Sequence, residues 1–262
     1  MSLEHFPPNP DYGRGCFRRR VIIRRNGQAT LATIDDTHHA MWVLIEHDGR
    51  VITSIEGGIT RGPATTCSAS SAGLAALVGW PLDERPTSRD LPPTMNCTHL
   101  GDLTIWALTE EAGGPPLVEY EVFVADEIDT PVWATVSRNG TVLHKWLIYG
   151  HQVLAPDYLE GCPLMRGFVA WARTVFKGKA LEAALMLQRG VFVARGRKRL
   201  VDLSPPVPLR AAVGMAGVCF SYSGERLATA TSVVGYVRDF TEKVIVTPPP
   251  ARVVERFEGW TQ

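Results

Sequence analysis

The sequence predicts an α+β fold with two pseudo-repeated halves, each an antiparallel meander followed by a helix, packed into one body. Short β-branched runs separated by Asn-Gly or Asp-Gly dipeptides are typical of tight hairpins. Other segments, rich in Ala, Leu and Ser, carry apolar residues at helical spacing. The order of hairpin, turn, helix and Gly-x-x-Leu recurs at an offset of about one hundred residues. We therefore divide the chain at 1–112 and 113–262, and we expect a ligand cleft between two packed layers.

The elements follow from these patterns in chain order. Residues 20–55 form strands broken at Asn26-Gly27 and Asp48-Gly49. The Ala-rich segment 68–78 is predicted to be a helix, and a second helix is predicted at 100–108. Apolar spacing predicts another helix at 168–175. Further strands are predicted at 118–124, 133–136, 142–149, 213–222 and 229–237.

The composition of the chain limits which partners and which compartment we expect. Lys plus Arg and Asp plus Glu both number 27, so no net charge favours a nucleic acid or an anionic membrane as partner. No apolar run approaches the roughly 18 residues of a membrane helix, and the first residues lack the apolar core of a secretory signal. The five cysteines are not tightly spaced, so we expect thiols and a cytoplasmic protein. A homodimer is one assembly that the sequence allows.

The common nucleotide and hydrolase motifs are absent from the sequence. It contains no Walker loop, no Gly-x-Ser-x-Gly elbow and no His-Glu-x-x-His. A small neutral or amphipathic ligand is therefore the expected partner.

One cluster of charge stands near the start of the chain. Arg18, Arg19 and Arg20 follow Phe17 and precede Val21 in a pattern typical of a strand with one wet face. We expect these arginines to be solvated, and the alternative is a patch that binds an anion or a nucleic acid.

The segment 96–102 carries the densest chemistry. Cys97, His99 and Asp102 place a thiol, an imidazole and a carboxylate within six residues, just before a predicted helix. Such a group suits a metal or a nucleophile with its base, and the helix N-terminus would favour a thiolate. The alternative is a buried cysteine beside a helix cap.

Two more residues of the first half fit the same site. Cys67 begins the first predicted helix, and His39 begins a strand on which it points inward while His38 points out. Asp36 is the expected partner of the inward imidazole. His39, Cys67, Cys97 and His99 could form a tetrahedral site for zinc or iron. The alternative is that the cysteines belong to the core.

The second half offers aromatic and basic side chains instead. Lys145, Tyr149, Trp171, Tyr222 and Arg226 suit a pocket for an aromatic, hydroxylated ligand, in which a cation or phenol stabilises an oxyanion. The alternative is a core with polar edges.

Four short motifs carry a resemblance to a known bacterial family. They are His39-Ala-Met, Pro63 four residues before Cys67, Leu77-Val78-Gly79, and Cys97-Thr98-His99-Leu100. On these motifs the chain resembles the family catalogued as domain of unknown function 2889. The resemblance implies an accessory enzyme of lignin-fragment breakdown in bacteria that degrade aromatic compounds, a group that includes cofactor-free lyases removing a one-carbon unit.

Residues 62–84 are also similar to the middle of iron–sulfur scaffold proteins, with a cysteine, a Ser/Ala-rich helix and a Gly-x-x-Leu-Asp-Glu ending. Those scaffolds have an adjacent Cys-His pair, whereas this chain has Cys97-Thr98-His99 and a whole second half. The resemblance implies a distant evolutionary relation to that fold.

The expected function is a cofactor-independent lyase that cleaves a carbon–carbon bond in a lignin-derived phenol and releases a small aldehyde such as formaldehyde. His39 or His99 would be the base, with Asp36 and Asp102 orienting the imidazoles. The alternative is a metal- or cluster-binding accessory protein without turnover of its own.

Overall fold

A single antiparallel sheet forms the centre of the molecule. The computed structural model describes residues 5–87, 89–111, 113–212 and 214–257, and these contain eight strands in the order β4-β3-β2-β1-β5-β6-β7-β8. Together with the helices, this sheet confirms the predicted α+β class. The strands are β1 (Cys16–Asn26), β2 (Ala29–Asp36), β3 (Ala40–His47), β4 (Ile52–Arg61), β5 (Leu117–Ala125), β6 (Val132–Arg138), β7 (Thr141–Tyr149) and β8 (Gln152–Ala155).

Helices follow each group of four strands. They are α1 (Thr98–Glu111), α2 (Phe168–Val175), α3 (Gly178–Ala194), α4 (Gly224–Thr229) and α5 (Ala251–Val254). Helix α1 confirms the helix predicted at 100–108, and α2 confirms the one at 168–175. No helix of the described residues is long and apolar enough to cross a membrane.

The helix predicted at 68–78 is instead a run of 3-10 turns, Cys67–Leu77. Ser70 Oγ donates to the carbonyl of Cys67 at 2.6 Å, and such serine bonds compete with regular α-helical pairing. Gly73 lies so close to the next loop that a Cβ would come within 2.4 Å of the carbonyl oxygen of Met95. Tertiary packing therefore overrides the local preference for an α-helix.

The two halves join side by side, which corrects the expectation of two packed layers. Strands β1 and β5 pair antiparallel from Cys16 opposite Ala125 to Arg24 opposite Leu117. One apolar core runs under both meanders, so no cleft separates two layers. Each half supplies four strands and then a helix, while the internal duplication stays a prediction. Ala112, at the proposed boundary, lies outside the described residues.

The strands predicted at 213–222 and 229–237 are wrong. The described part of this tail forms short helical turns and isolated bridges, such as Ala64 with Ser232 and Pro208 with Thr231; Val213 lies outside the described residues. Glycines with positive φ interrupt any extended run, at Gly214, Gly217, Gly224 and Gly235. The tail folds back over the first half instead of extending the sheet.

Helices cover one face of the sheet, and the chain end covers part of the other. Alternate residues of β1, namely Phe17, Val21 and Ile23, are fully buried in the main core. On the opposite face of the first meander, Trp42 and Leu44 pack with Val253 and Phe257. Residues that point to the helix side therefore belong to the interior.

Candidate functional site

A cavity of about 560 Å³ opens at the end of the first meander. Its wall includes His39, Cys67, Cys97 and His99, the four residues singled out in the first half, together with Tyr222 from the tail. Met41, Val193, Val207, Leu209, Ala212 and Met215 supply apolar surface. The cavity has room for a molecule the size of a substituted aromatic compound.

The turn between β2 and β3 fixes the position of His39. Asp36 Oδ1 accepts hydrogen bonds from the backbone N–H of His38 at 2.7 Å and of His39 at 2.9 Å. The same oxygen lies 3.0 Å from Nδ1 of His39. When Nδ1 donates this bond, Nε2 is left as a proton acceptor. This part of the site matches the pairing of Asp36 with His39 expected from the sequence.

Arg19 anchors Asp36 from the neighbouring strand, which corrects the expectation that all three arginines are solvated. The two residues face each other in the β1–β2 register, and both side chains are fully buried. Nε and Nη2 of Arg19 donate to Asp36 Oδ2 at 2.9 and 2.6 Å. Burial alone would raise the pKa of Asp36, but the charges of His39 and Arg19 outweigh it and lower the pKa well below its usual range.

Arg61 locks the same turn through backbone carbonyls. Its guanidinium donates to the carbonyl oxygens of Asp36 and His39, each at 2.8 Å, and of Thr37 at 3.1 Å. A fourth bond reaches the carbonyl of Tyr236 in the tail at 3.2 Å. The turn that carries His39 is therefore rigid and tied to the tail that closes the cavity.

His99 lies beside His39. It belongs to the first turn of α1, and the two ring centroids are 4.5 Å apart. Its Nδ1 is buried without a hydrogen-bond partner. Burial, followed by the charges of His39 and Arg19, lowers the pKa of His99 well below its usual range. His99 is therefore a neutral imidazole at physiological pH.

His38 also faces inward, so the expectation that it points out is wrong. Its side chain is 5% exposed, lines the cavity and lies 6.0 Å from Tyr236 between ring centroids. Both ring nitrogens are buried without a partner. Burial lowers the pKa of His38 to about 3, which keeps the ring neutral. The prediction assumed that side chains alternate between the two faces of a strand, but His38 lies in the turn before β3, where this alternation does not apply.

The three cysteines at the cavity are thiols. Burial raises the pKa of Cys97 to about 12 and also raises the pKa values of Cys67 and Cys219. The expectation of a thiolate is therefore wrong, because desolvation dominates and Cys67 begins 3-10 turns instead of an α-helix. Cys67 Sγ lies 3.7 Å from Ser221 Oγ.

The tetrahedral site for zinc or iron does not assemble from the four residues. Within the described ranges, no group of three or more His, Cys, Asp or Glu side chains is arranged to hold a metal ion. Cys97, one of the four, is buried in the main core.

Asp102 does not orient an imidazole. Its Oδ2 accepts a hydrogen bond from Arg189 Nε of α3 at 2.9 Å. The carboxylate lies three residues after His99 in α1 and pairs with an arginine of α3. Its role is therefore to tie two helices together.

The structure brings only Tyr222 of the predicted second-half lining to the cavity. Lys145 and Tyr149 are exposed on the far face of β7, with Lys145 Nζ 4.5 Å from the ring centroid of Trp133. Trp171 packs between Phe168 and Phe176. Arg226 stacks on Phe220 and donates to the carbonyl of Thr94 at 2.8 Å.

Sequence reasoning missed several residues of the wall. His151, Arg195 and Tyr236 line the cavity with Arg199 and Lys198, yet they lie in turns and tail segments without periodic patterns. The sequence could have indicated only that Arg19 is buried. It alternates with Phe17 and Val21 on the same face of β1, and both of these residues are buried.

Neither a protein-family model nor a curated protein matches the chain. The resemblances to domain of unknown function 2889 and to iron–sulfur scaffolds stay predictions.

Proposed function

We propose that the protein is a cofactor-independent lyase that cleaves a carbon–carbon bond of a phenolic substrate and releases a small aldehyde. The observation that carries the proposal is the buried chain from Arg19 through Asp36 to His39, which ends in a cavity with largely apolar walls. The substrate class, a lignin-derived phenol such as one that loses formaldehyde, comes from the resemblance described above. The five free thiols are typical of a reducing compartment, so we place the reaction in the cytoplasm.

His39 is the better base of the two imidazoles. Asp36 accepts from Nδ1 and stabilises the imidazolium that forms when Nε2 takes a proton. Among the described residues no carboxylate is hydrogen-bonded to His99, whose Nδ1 is buried without a partner, and burial lowers its pKa. We assign to His99 a neutral hydrogen bond to the substrate.

The step is a retro-aldol cleavage. His39 Nε2 takes the proton of a substrate hydroxymethyl group, and the C–O bond becomes the carbonyl of the departing aldehyde. The substrate carries a ketone next to the carbon that bears the hydroxymethyl group, so the electrons of the broken carbon–carbon bond pass into this carbonyl and form an enolate oxyanion. Burial raises the pKa of Tyr222 to about 12, so this phenol stays protonated and can donate to the developing oxyanion. Return of the proton from His39 to carbon completes the cycle.

The test is release of aldehyde from phenols whose side chain is a ketone with a hydroxymethyl group on the adjacent carbon, with formaldehyde measured colorimetrically. We expect turnover by the wild type and a loss of about 10²- to 10⁴-fold in His39→Gln. The matched control is His144→Gln, because His144 is also buried but bonds the carbonyl of Ala180 away from the cavity. Absence of aldehyde across the panel, or a normal rate in His39→Gln, would overturn the proposal.

A further inference from the structure

The rim of the cavity is cationic, a feature that acid–base chemistry alone does not require. Among the described residues that line the cavity, Arg195, Lys198 and Arg199 are cations and Glu127 is the one carboxylate. Lys198 lies 3.8 Å from Glu127, which offsets one positive charge with the one negative charge. Two guanidinium groups are left in excess on an apolar cavity.

Arg195 is the guanidinium best placed to bind a ligand. It follows the last residue of α3, where Nη1 lies 2.6 Å from Nδ1 of His151 and Nη2 donates to the carbonyl of Gly150. No ion pair joins it to a carboxylate in the part of the chain that the structure describes. These neutral partners orient the guanidinium, and the Glu127 carboxylate acts on its charge from nearby without a direct ion pair.

Arg197, two residues later, differs from Arg195 because its guanidinium is paired with a carboxylate of the protein. Nε and Nη2 of Arg197 bind the two oxygens of Asp126 at 2.8 and 3.1 Å. That fork is fully used within the protein. Arg195, at the cavity, keeps its charge available for an anion.

Gly196 connects this rim to the histidines. A Cβ at Gly196 would lie 2.6 Å from Nε2 of His38, so the backbone next to Arg195 touches the imidazole. Adjacent Cα atoms are about 3.8 Å apart. The cationic rim and the histidine end are therefore two parts of one continuous wall.

We infer that the ligand of this cavity is a phenolic acid whose carboxylate binds Arg195 while its ring lies toward His38, His39 and His99. The inference rests on the proposed function in taking this cavity as the substrate site and a phenol as the substrate class, and the carboxylate is the new part. Guanidinium groups bind carboxylates through paired hydrogen bonds, and a low-dielectric wall strengthens them. Arg195 is thus a specificity-determining residue, remote from the bond that reacts.

The experiment compares two probes that differ only in charge, 3-(4-hydroxyphenyl)propanoate and its primary amide, by calorimetry at pH 7.5 and low salt. We expect the acid to bind wild type about tenfold or more tightly than the amide. Arg195→Gln should reduce the acid affinity to that of the amide and leave the amide unchanged. Arg173→Gln, an exposed arginine on α2, should behave as wild type.

Equal binding of both probes to wild type would overturn the inference, and so would binding of neither. An unchanged preference for the acid in a folded Arg195→Gln would do the same. If Arg195→Gln does not fold, the comparison of the two probes on the wild-type protein is the deciding measurement. Neither probe has a hydroxymethyl group to lose, so binding is measured without turnover. If the protein releases no aldehyde from its candidate substrates, the proposed reaction is contradicted, but the measured preference for the acid probe still stands.

Discussion

At the scale of single residues, Asp36 organises the histidine end of the cavity. It is fully buried, accepts from the backbone at His38 and His39, and joins the guanidinium of Arg19 to the imidazole of His39. A buried ion pair contributes little net stability, but removing one partner leaves an uncompensated charge in the interior. Arg19 already has one buried nitrogen, Nη1, without a partner.

Replacement of Asp36 by Asn should therefore be costly. We expect Asp36→Asn to lower the free energy of unfolding by about 3–5 kcal/mol, because Arg19 stays buried and charged. Urea denaturation measures this, and aldehyde release should fall with it because the imidazolium of His39 loses its counterion.

The control for that change is Asp102→Asn, which breaks a partly exposed pair with Arg189. Such pairs contribute about 0–1 kcal/mol. Equal effects of the two substitutions would contradict the special role of Asp36.

Asp35 should make stability depend on pH. Burial raises its pKa from 3.8 to about 7, although Thr247 donates to Oδ1 at 2.7 Å and Arg61 lies 3.8 Å away. The folded state therefore keeps a proton that the unfolded chain loses, so this stabilisation is present below pH 4 and is lost as pH rises through 7.

Asp35→Asn removes that dependence. Relative to wild type, its free energy of unfolding should rise by up to about 4 kcal/mol between pH 4 and pH 8. Urea denaturation at several pH values measures the slope, with the exposed Asp129→Asn as control. A parallel pH profile for wild type and Asp35→Asn would contradict the expectation.

At the scale of elements, local signals predicted the strands of both meanders except β8 (Gln152–Ala155) and failed in the tail. Asn26-Gly27 and Asn139-Gly140 form turns in which Gly27, Asn139 and Gly140 have positive φ, the backbone that these dipeptides favour. In contrast, the 3-10 turns from Cys67 depend on Gly73 packing against the loop at 95–96. Contacts of that kind have no period, so the sequence pattern could not distinguish them from an α-helix.

The short turn Arg195–Lys198 depends on glycine at its second position. In Gly196→Ala the new Cβ would lie 2.6 Å from Nε2 and 3.1 Å from Cε1 of His38. The ring is buried and has little room to move, so we expect a loss of about 1–3 kcal/mol in the free energy of unfolding. Binding of the phenolic acid probe should also weaken, which calorimetry measures.

Gly101→Ala is the matched control in α1. Its new Cβ would meet only Leu91 Cδ1, at 3.7 Å, and alanine in a helix is favoured over glycine by up to about 1 kcal/mol. We expect unchanged or higher stability there. A Gly196→Ala protein as stable as Gly101→Ala would show that His38 is free to move.

At the scale of the whole molecule, the cavity is assembled from distant parts of the chain. The β2–β3 turn supplies His39, the start of α1 supplies His99, the end of α3 supplies Arg195, and the tail supplies Tyr222. The motifs around His39, Cys67, Cys97 and His99 could be found because each is locally distinctive. The other wall residues could not, since only the long-range folding of the tail over the first meander brings them together.

The last turns of the chain cover the sheet on the side away from the cavity. Val253 and Phe257 are buried against Trp42 and Leu44. The last tail residue on the cavity wall is Tyr236. Removing the residues after Thr247 should therefore affect stability but not ligand binding. Thr247 itself stays in the chain and keeps its hydrogen bond to Asp35.

A chain that ends at Thr247 should lose about 3–5 kcal/mol of unfolding free energy, because Val253 and Phe257 no longer bury apolar surface. It should still bind the phenolic acid probe within about twofold, since the cavity wall is intact. Urea denaturation followed by tryptophan fluorescence measures the stability, and calorimetry of the folded protein measures the binding. The control is Arg252→Gln with Arg256→Gln, which removes two exposed ion pairs worth about 0–1 kcal/mol each. A folded truncated chain that no longer binds the probe would show that the far face of the sheet shapes the cavity, and a fully stable one would show that α5 contributes nothing to the core.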